Sequence, residues 1–258
     1  MWFDPGFDIE PDYRAMTFRY GPDTFGPMPE RRHLDDIRQS LRDPCCTGPE
    51  IPYIVSMDVG HKADRTDLIG RNLLYGAMIY AGGTLGSEPV RSQGHVHAVS
   101  VSCGCSTPEV YEIWDGEAVI YMQESAQDQP GSCYAVHAKP GQVVVVPPAW
   151  AHCTVNADPS RPMAFGAWCV RDYGFDYADV RRHGGLAYFP EVRTGGLSWV
   201  HNDAYEPSSL ILREARGAEE LGLTSGMSIY EQYERDHELF RFVTDPQTAR
   251  DIWAVHKP

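Results

Sequence analysis

Hydrophobic residues change their spacing along the chain. Leu34, Ile37 and Leu41 recur at helical spacing, which predicts a helix whose first turn begins at Pro29. From residue 51 to about 185, short apolar runs such as NLLYGAMIYA and QVVVVPP are separated by turns that contain glycine or proline. Runs of this length, divided in this way, are typical of the strands of a sandwich or barrel.

The two ends of the chain differ from this β-rich middle. Residues 1–28 are rich in proline, glycine and aspartate and predict an irregular segment that packs on a larger body. From about residue 207 the pattern turns helical again. Ser228 and Glu231 have the spacing of a capping box, and Asp245 precedes a proline that opens a last short helix.

The pattern as a whole predicts an all-β domain with helical extensions at both ends. The expected division is an N-terminal arm and helix over 1–50, a β domain over 51–190, and a C-terminal helical extension over 191–258 packed on it. A doubly wound α/β fold is not expected, because no helical pattern alternates with the strands.

Composition narrows the class of function. The chain has 258 residues and a net charge of −14, the wrong sign for nucleic acid or an anionic membrane surface. No apolar run approaches the roughly 18 residues of a membrane span. The N-terminus lacks the apolar core of a signal peptide. Seven cysteines, an odd number, favour reduced thiols, so we expect a cytoplasmic protein.

The pair His95 and His97 carries the first sign of chemistry. Side chains two residues apart on a strand share one face, so both imidazoles can converge on one ion, although such a pair alone is weak evidence. Glu109 and His152 complete a set of three nitrogens and one oxygen, which suits Fe, Mn, Ni or Zn. Glu112 is a rival oxygen ligand, but its position on the strand predicts that it faces the opposite side.

The spacing of these residues resembles the two short motifs of the cupin superfamily. Glu109 is followed by Gly116 as in the first motif, and residues 141–156, GQVVVVPPAWAHCTVN, follow the second. Ala149 stands where that motif usually has glycine. Residues 98–108 make the gap between ligands longer than usual, and we interpret the loop SVSCGCSTP at 100–108 as an insertion. The resemblance implies a double-sheet jelly roll.

One group of cupins is closer than the others. About residues 28–190 resemble the cupin-type phosphoglucose isomerases. The elements that carry the resemblance are SQGHVH at 92–97, EVY at 109–111, PPAWAH at 147–152 and FDY at 175–177. The element PPAWAH is the most specific of them.

The resemblance implies a metal-dependent aldose–ketose isomerase. Its substrate would be a sugar phosphate, glucose 6-phosphate, fructose 6-phosphate or a relative, as in glycolysis and gluconeogenesis. One divalent transition metal per chain would be held by His95, His97, Glu109 and His152. The family also implies a homodimer.

Several residues are candidates for catalysis or substrate binding. Glu109 is the candidate base if the reaction passes through an enediol, and a hydride shift stays an open alternative. Tyr111 lies two residues on, hence on the same face, and can contact the sugar. By resemblance, Tyr177 matches a substrate-contacting tyrosine. Ser92 keeps a hydroxyl where the family has threonine, so a phosphate contact is expected there.

Other candidates are less specific. Arg91 can bind a phosphate or simply be solvated, and Gly94 can allow close approach of a ligand or form a bulge. Cys103 and Cys105 can bind a second metal, sense redox state or belong to a flexible insertion.

Phe175 departs from the family, which has histidine at this position. The change removes a polar contact to the substrate and keeps three alternatives open. The protein can be a metal-dependent isomerase of a different sugar, another metal-dependent cupin enzyme such as a dioxygenase, or a non-catalytic sugar-binding cupin.

Overall fold

The computed structural model describes residues 2–258, and strands dominate it. The strands are β1 (Ile9–Asp12), β2 (Thr17–Tyr20), β3 (Thr24–Phe25), β4 (Glu30–Arg32), β5 (Tyr53–Met57), β6 (Gly60–His61), β7 (Leu73–Tyr80), β8 (Thr84–Leu85), β9 (Glu88–Pro89), β10 (Val96–His97), β11 (Glu109–Asp115), β12 (Ala118–Gln123), β13 (Cys133–Ala138), β14 (Val143–Val146), β15 (Ala151–Asn156), β16 (Met163–Val170), β17 (Phe175–Asp176), β18 (Tyr188–Arg193), β19 (Gly196–His201) and β20 (Leu210–Glu214).

The helices are short. The α-helices are α1 (Leu34–Ile37), α2 (Arg65–Gly70), α3 (Ala178–Arg182), α4 (Ile229–Arg235), α5 (Arg241–Thr244) and α6 (Arg250–Trp253). The 3-10 turns are Arg38–Ser40, Glu219–Leu221 and Pro246–Ala249. Across residues 2–258, no helix has the length and apolar character needed to cross a membrane.

Ten strands form two facing sheets. The larger sheet has the order β14-β11-β16-β7-β5-β4 and is antiparallel throughout. The smaller sheet has the order β15-β12-β13-β20, in which the pair β13–β20 is parallel. Ile113 and Phe165 of the larger sheet share one buried cluster with Ile120 and Val136 of the smaller sheet. The predicted all-β double-sheet fold is confirmed.

Both sheets are also covered on their outer faces. The larger sheet packs there against Phe7 and Phe18 of the N-terminal segment and Tyr230 of α4. The smaller sheet packs against Val180 and Leu186. Every residue of β7 and β16 is buried as a result, which explains why these strands appear as continuous apolar runs without polar alternation.

The N-terminal prediction needs correction. The segment expected to be irregular contains the hairpin β1–β2, although it packs on a larger body as predicted. Glu30–Arg32 is a strand that pairs with β5 at the edge of the larger sheet, so the helix begins at Leu34 and not at Pro29. Proline is tolerated at the start of an edge strand, because no ladder partner needs its missing N–H.

The C-terminal prediction is correct in part. Leu210–Glu214 is a strand, not a helix, because it pairs with β13 in the smaller sheet. The capping box of Ser228 and Glu231 begins α4, as expected, and a 3-10 turn followed by α6 occupies the last predicted helix. The division at residues 50 and 190 stays a prediction, and β4 and β20 from the two outer segments pair in the main sheets.

Glu112 connects the larger sheet to the C-terminal helices. Its carboxylate accepts the backbone N–H of Ile229 at 2.8 Å and the indole N–H of Trp114 at 3.2 Å. It lies on the face away from Glu109, as the strand period predicted. Burial raises the pKa of Glu112 to about 8. The carboxyl group therefore holds its proton near neutral pH.

We expect this burial to appear in the pH dependence of stability. Between the ordinary pKa of 4.5 and about 8, the folded chain keeps a proton that the unfolded chain releases. The free energy of unfolding should therefore fall as pH rises through this window, by up to about 1.4 kcal/mol per pH unit. Glu112→Gln should remove this slope in denaturant unfolding curves.

The matched control is Glu124→Gln, which changes an exposed carboxyl group. It should leave the slope of the wild-type protein unchanged. Equal slopes in the wild-type and Glu112→Gln proteins would contradict the assignment of the slope to Glu112.

Candidate metal centre

Four side chains, three of them from strands, meet between the edge of the smaller sheet and the larger sheet. His97 lies in β10, Glu109 begins β11 and His152 lies in β15. His95 precedes β10 and forms an isolated bridge with His152, in which each backbone N–H donates to the other carbonyl, at 3.0 and 2.9 Å. This backbone pairing holds the two imidazoles on the same side.

The donor atoms of the four residues converge. All lie within 4.8 Å of one another. The Oε2 atom of Glu109 is 3.1 Å from Nε2 of His97 and 3.2 Å from Nε2 of His152. Two donors ~2.1 Å from one ion and at right angles are about 3.0 Å apart, so these separations suit ligands of a common metal.

The Nε2 atom of His95 gives an independent test of this fit. It is buried and has no hydrogen-bond partner among the described residues. A buried polar atom without a partner is costly, and a metal ion at the centre of the cluster would satisfy its lone pair. The residues present therefore fit a divalent transition metal.

Neighbouring groups orient the ligands. The Nδ1 atom of His97 lies 2.8 Å from the carbonyl of Thr107, and that of His152 lies 3.2 Å from the carbonyl of Trp150. Donation of Nδ1–H to a carbonyl directs Nε2 of each ring to the centre. The hydroxyl of Tyr111 donates to Oε2 of Glu109 at 2.6 Å, so Tyr111 shares its face, as predicted.

The protonation states follow from burial and from the close contacts. Burial lowers the pKa of His95 far below its usual value and also lowers that of His152. Burial would raise the pKa of Glu109, but the hydrogen bonds of His152 and His97 outweigh it and hold this pKa well below its usual range. Burial opposes a charge on His97, yet Glu109 raises its pKa, so metal binding competes with a proton there.

A cavity opens beside the cluster. Its walls are largely apolar or aromatic. The aliphatic, thioether and phenyl side chains are those of Val55, Met57, Met78, Phe165, Val170 and Phe175. The phenols are those of Tyr53, Tyr80, Tyr111, Tyr173 and Tyr177. A concave, mostly apolar cavity with few polar groups is typical of a small-molecule site.

Phe175 and Tyr177 lie on the wall next to the ligands. The Phe175 ring is 4.6 Å from the ring of His95, and its backbone pairs with His97. The Tyr177 ring is 5.9 Å from that of His95, and the guanidinium of Arg181 stacks on it at 4.9 Å. The element FDY is thus placed against the cluster.

Arg91 is a correction to the sequence analysis. Its side chain is 2% exposed and does not line the cavity. It donates to the carboxylate of Glu88 and to the carbonyls of Ser92 and Ser40. The guanidinium is therefore not solvated, and these acceptors within the fold engage its donors.

Ser92 and Gly94 have different positions. Ser92 lines the cavity, and its oxygen accepts the N–H of Thr154 at 3.1 Å, which leaves its own proton to donate. Gly94 has a φ of +88°, and a Cβ atom there would lie 2.8 Å from Leu186. The turn and this contact explain the glycine, which is not among the residues that line the cavity.

Arg32 was missed by the sequence analysis. Among residues 2–258, it supplies the one guanidinium that lines the cavity. Its Nη2 atom lies 2.8 Å from the carboxylate of Glu30, and its side chain is 29% exposed. The sequence pattern placed Arg32 in a predicted helix that begins at Pro29, and this gave no reason to expect it at the cavity. Pro29 is the signal that could have indicated a strand, because proline is also typical of the start of an edge strand.

Ala149 shows why the second motif prefers glycine. Its φ is +67°, in the left-handed region that side chains with a Cβ atom rarely adopt. Its N–H donates to the hydroxyl of Ser106 at 3.1 Å. A hydrogen bond therefore joins the turn before His152 to the loop over residues 98–108, which contains no strand. The interpretation of part of this loop as an insertion stays a prediction.

Comparison with known proteins matches the chain to one family of isomerases. A family model described as glucose-6-phosphate isomerase (GPI) matches residues 46–208. A glucose-6-phosphate isomerase of Thermococcus onnurineus is 33% identical over 102 residues, which are 40% of this chain and 49% of that protein. The one of Pyrococcus abyssi is 31% identical over 113 residues, 44% of this chain and 54% of that protein. The chain thus spans about half the length of the curated relatives it matches.

Solved structures overlap with part of the chain. A recombinant oxalate oxidase in complex with glycolate is 14% identical, with a TM-score of 0.33, over 45% of this chain and 50% of its own. A vicilin from Corylus avellana is 10% identical, with a TM-score of 0.35, over 50% and 33%. At these scores the likeness is loose, and the double-sheet architecture rests on the strand pairing of this chain.

The ligand set predicts the metal content. After incubation with Mn²⁺ or Zn²⁺ and gel filtration, the wild-type protein should retain about one ion per chain, because four donors converge. His95→Ala and His152→Ala should each lose most of it, measured by elemental mass spectrometry. Circular dichroism should confirm that the variants are folded.

The matched control is His201→Ala, which removes a histidine outside the cluster and should keep the ion. Full retention of metal by both His95→Ala and His152→Ala would show that the ligands lie elsewhere.

Proposed function

The chain belongs to the glucose-6-phosphate isomerase family, and on this basis we propose that it is a metal-dependent aldose–ketose isomerase of a sugar phosphate. The observation that carries the proposal is the four-residue cluster that opens to a largely apolar cavity. The proposed reaction interconverts glucose 6-phosphate and fructose 6-phosphate, or a related pair, as in glycolysis and gluconeogenesis. The proposed state is a cytoplasmic homodimer.

The proposed ligands are His95, His97, Glu109 and His152, which hold one Fe, Mn, Ni or Zn ion. The Nε2 atom of His95, which has no hydrogen-bond partner within residues 2–258, and the deprotonated carboxylate of Glu109 support this assignment. When bound, such an ion polarises the carbonyl and hydroxyl oxygens of an open-chain sugar. The carbonyls of Thr107 and Trp150 orient the imidazoles of His97 and His152 so that their Nε2 atoms point to the proposed ion.

Glu109 is the proposed base for the enediol route, in which a proton moves between C2 and C1 of the sugar. The carboxylate is ionised, which is the state that a base needs, and its proposed coordination to the ion would limit its basicity. Tyr111 donates to its Oε2 atom and fixes its position. The hydride route needs no base at C2, and under it Glu109 acts as a ligand alone.

Arg32 is the proposed phosphate contact, in place of Arg91. A guanidinium pairs with phosphate through two parallel N–H donors, and Arg32 is partly exposed at the cavity. Ser92 offers a hydroxyl proton from the cavity wall. Tyr177 is the proposed contact to the sugar, in keeping with its place beside the histidines.

A second candidate is an isomerase of a different sugar. Phe175 places an apolar ring 4.6 Å from that of His95, and Met57, Met78 and Phe165 also line the cavity. These groups offer no hydrogen bond to a hydroxyl-rich chain. They favour a substrate with fewer hydroxyl groups, or a different stereochemistry, on that side of the cavity.

The function is tested by isomerisation with and without metal. Metal-loaded protein should interconvert an aldose phosphate and its ketose phosphate in a panel of hexose and pentose phosphates, followed by NMR. Removal of the ion with a chelator should abolish turnover, and return of the ion should restore it, because the substrate oxygens are then polarised again. Metal-dependent oxygen consumption, or binding of a sugar without turnover, would contradict the proposal.

Arg32→Gln separates phosphate binding from chemistry in the same assay. The KM for sugar phosphates should rise roughly tenfold to 100-fold, because a charge-assisted hydrogen bond is lost, while kcat stays nearly constant. The matched control is Arg14→Gln, which changes an exposed arginine away from the cavity. An unchanged KM in the Arg32 variant would exclude it as the phosphate contact.

Phe175→His tests whether the cavity is shaped for a substrate other than glucose 6-phosphate or fructose 6-phosphate. We expect no gain in kcat/KM on glucose 6-phosphate or fructose 6-phosphate, because the phenyl ring packs against His95 and Tyr173 and shapes the wall. A restored hydrogen bond worth about 1–3 kcal/mol would instead raise kcat/KM roughly five- to 150-fold. That gain, with no better substrate for the wild-type protein, would overturn the second candidate.

A further inference from the structure

The loop over residues 98–108 contains two cysteines that the proposed reaction does not use. It connects two of the proposed ligands, His97 and Glu109, and its turn carries the sequence Cys103-Gly104-Cys105. Both cysteines are partly exposed and carry free thiols. Reagents in solution can therefore reach them.

The two thiols face each other. Their Sγ atoms are 3.1 Å apart, and Cys103 also donates to the carbonyl of Cys105 at 3.4 Å. Gly104 has a φ of +70°, and no atom of residues 2–258 lies within 4 Å of the place of a Cβ, so a tight turn brings its neighbours to one side. A disulfide is about 2.05 Å long. The sulfurs need to approach by only ~1 Å to form one.

Hydrogen bonds hold the turn in this shape. The carboxylate of Asp172 accepts the hydroxyl of Ser100 at 2.8 Å and the N–H of Ser102 at 3.0 Å. The N–H of Ser100 donates to the carbonyl of Cys105 at 2.9 Å. The chain on the N-terminal side of the turn is thus fixed to residues outside the loop, and the thiols are already aligned.

We propose that Cys103 and Cys105 form a reversible disulfide in exchange with a small disulfide such as oxidised glutathione, and that this bond locks the loop between the two ligands. One thiolate attacks a glutathione sulfur and releases one glutathione thiolate, which takes up a proton. The other thiolate then attacks the mixed disulfide and releases the second glutathione. The protein loses two electrons and two protons, and oxidised glutathione becomes two thiols.

The loop contacts both sides of the metal centre. The carbonyl of Thr107 lies 2.8 Å from Nδ1 of His97, and the hydroxyl of Ser106 accepts the N–H of Ala149, three residues before His152. A covalent bond in the adjoining turn restricts movement of these two supports. Metal release is therefore slower from the oxidised protein. This second part rests on the proposed metal centre, whereas formation of the disulfide does not.

The disulfide is tested by mass spectrometry and thiol counting. Burial and the Cys103 thiol raise the pKa of Cys105 to about 11, so the reaction is run at about pH 8.5, where more thiolate is present. The wild-type protein should lose about 2 Da and two of its seven free thiols, and dithiothreitol should restore both. Peptide mapping should assign the bond to residues 103 and 105.

Cys103→Ser and Cys105→Ser should each abolish this bond. The matched control is Cys45→Ser, which removes an exposed cysteine from the other neighbouring pair, Cys45 and Cys46, and should leave the bond intact. Seven remaining thiols in the wild-type protein, a bond at other cysteines, or a stable glutathione adduct at residue 103 or 105 would overturn the proposal.

The coupling is tested by the rate at which a chelator removes the bound metal. Oxidised wild-type protein should release it about three- to tenfold more slowly than reduced protein, because a support of His97 is held in place. Cys103→Ser should show the same rate in both conditions. Equal release rates for the oxidised and reduced wild-type proteins would overturn the coupling. A protein that binds no metal would contradict the proposed function, and the disulfide assay would still decide whether Cys103 and Cys105 form the bond.

Discussion

The backbone pairing of His95 with His152 is the interaction on which the candidate site depends. Two hydrogen bonds, at 3.0 and 2.9 Å, join residues that are 57 positions apart in the sequence numbering. They place two imidazoles side by side at the edge of the smaller sheet. His97 then follows from the strand period, and Glu109 completes the set from the larger sheet. The cluster thus lies where the two sheets meet, open to the cavity on one side.

Strand β11 shows how one segment serves two purposes. Glu109, Tyr111 and Ile113 face the space between the sheets, whereas Glu112 faces the C-terminal helices. The two glutamates are buried to a similar degree, yet their pKa values shift in opposite directions. Imidazoles surround Glu109 and stabilise its charge, while Glu112 has an aromatic, largely apolar environment that favours the proton. Burial alone does not determine which carboxyl group can serve as a ligand.

The sequence was sufficient to predict what depends on local spacing. The shared face of His95 and His97, the opposite direction of Glu112 and the capping box of α4 follow from short-range periods. Glu109 and His152 were added to the set only because their spacing resembles a known motif. Placement that depends on distant partners was not predictable. Arg91 is buried because its acceptors include a carbonyl 51 residues away.

The strands near the two ends of the chain were also not predictable, because they depend on partners far away in the sequence. Arg32 reaches the cavity because β4 pairs at the edge of the larger sheet, and β20 is a strand because β13 offers a free edge. Since both faces of the larger sheet are covered, its apolar runs gave no alternation from which the inner and outer faces could be distinguished.

A crystal structure of metal-loaded protein, with anomalous data collected at the absorption edge of the metal, tests the central claim most directly. A rival position exists, because His61, Asp64 and Glu234 also place donor atoms within 4.8 Å of one another. The account predicts the strongest anomalous peak among the Nε2 atoms of the three ligand histidines and the carboxylate of Glu109. A strongest peak at His61, or none beside His152, would contradict it.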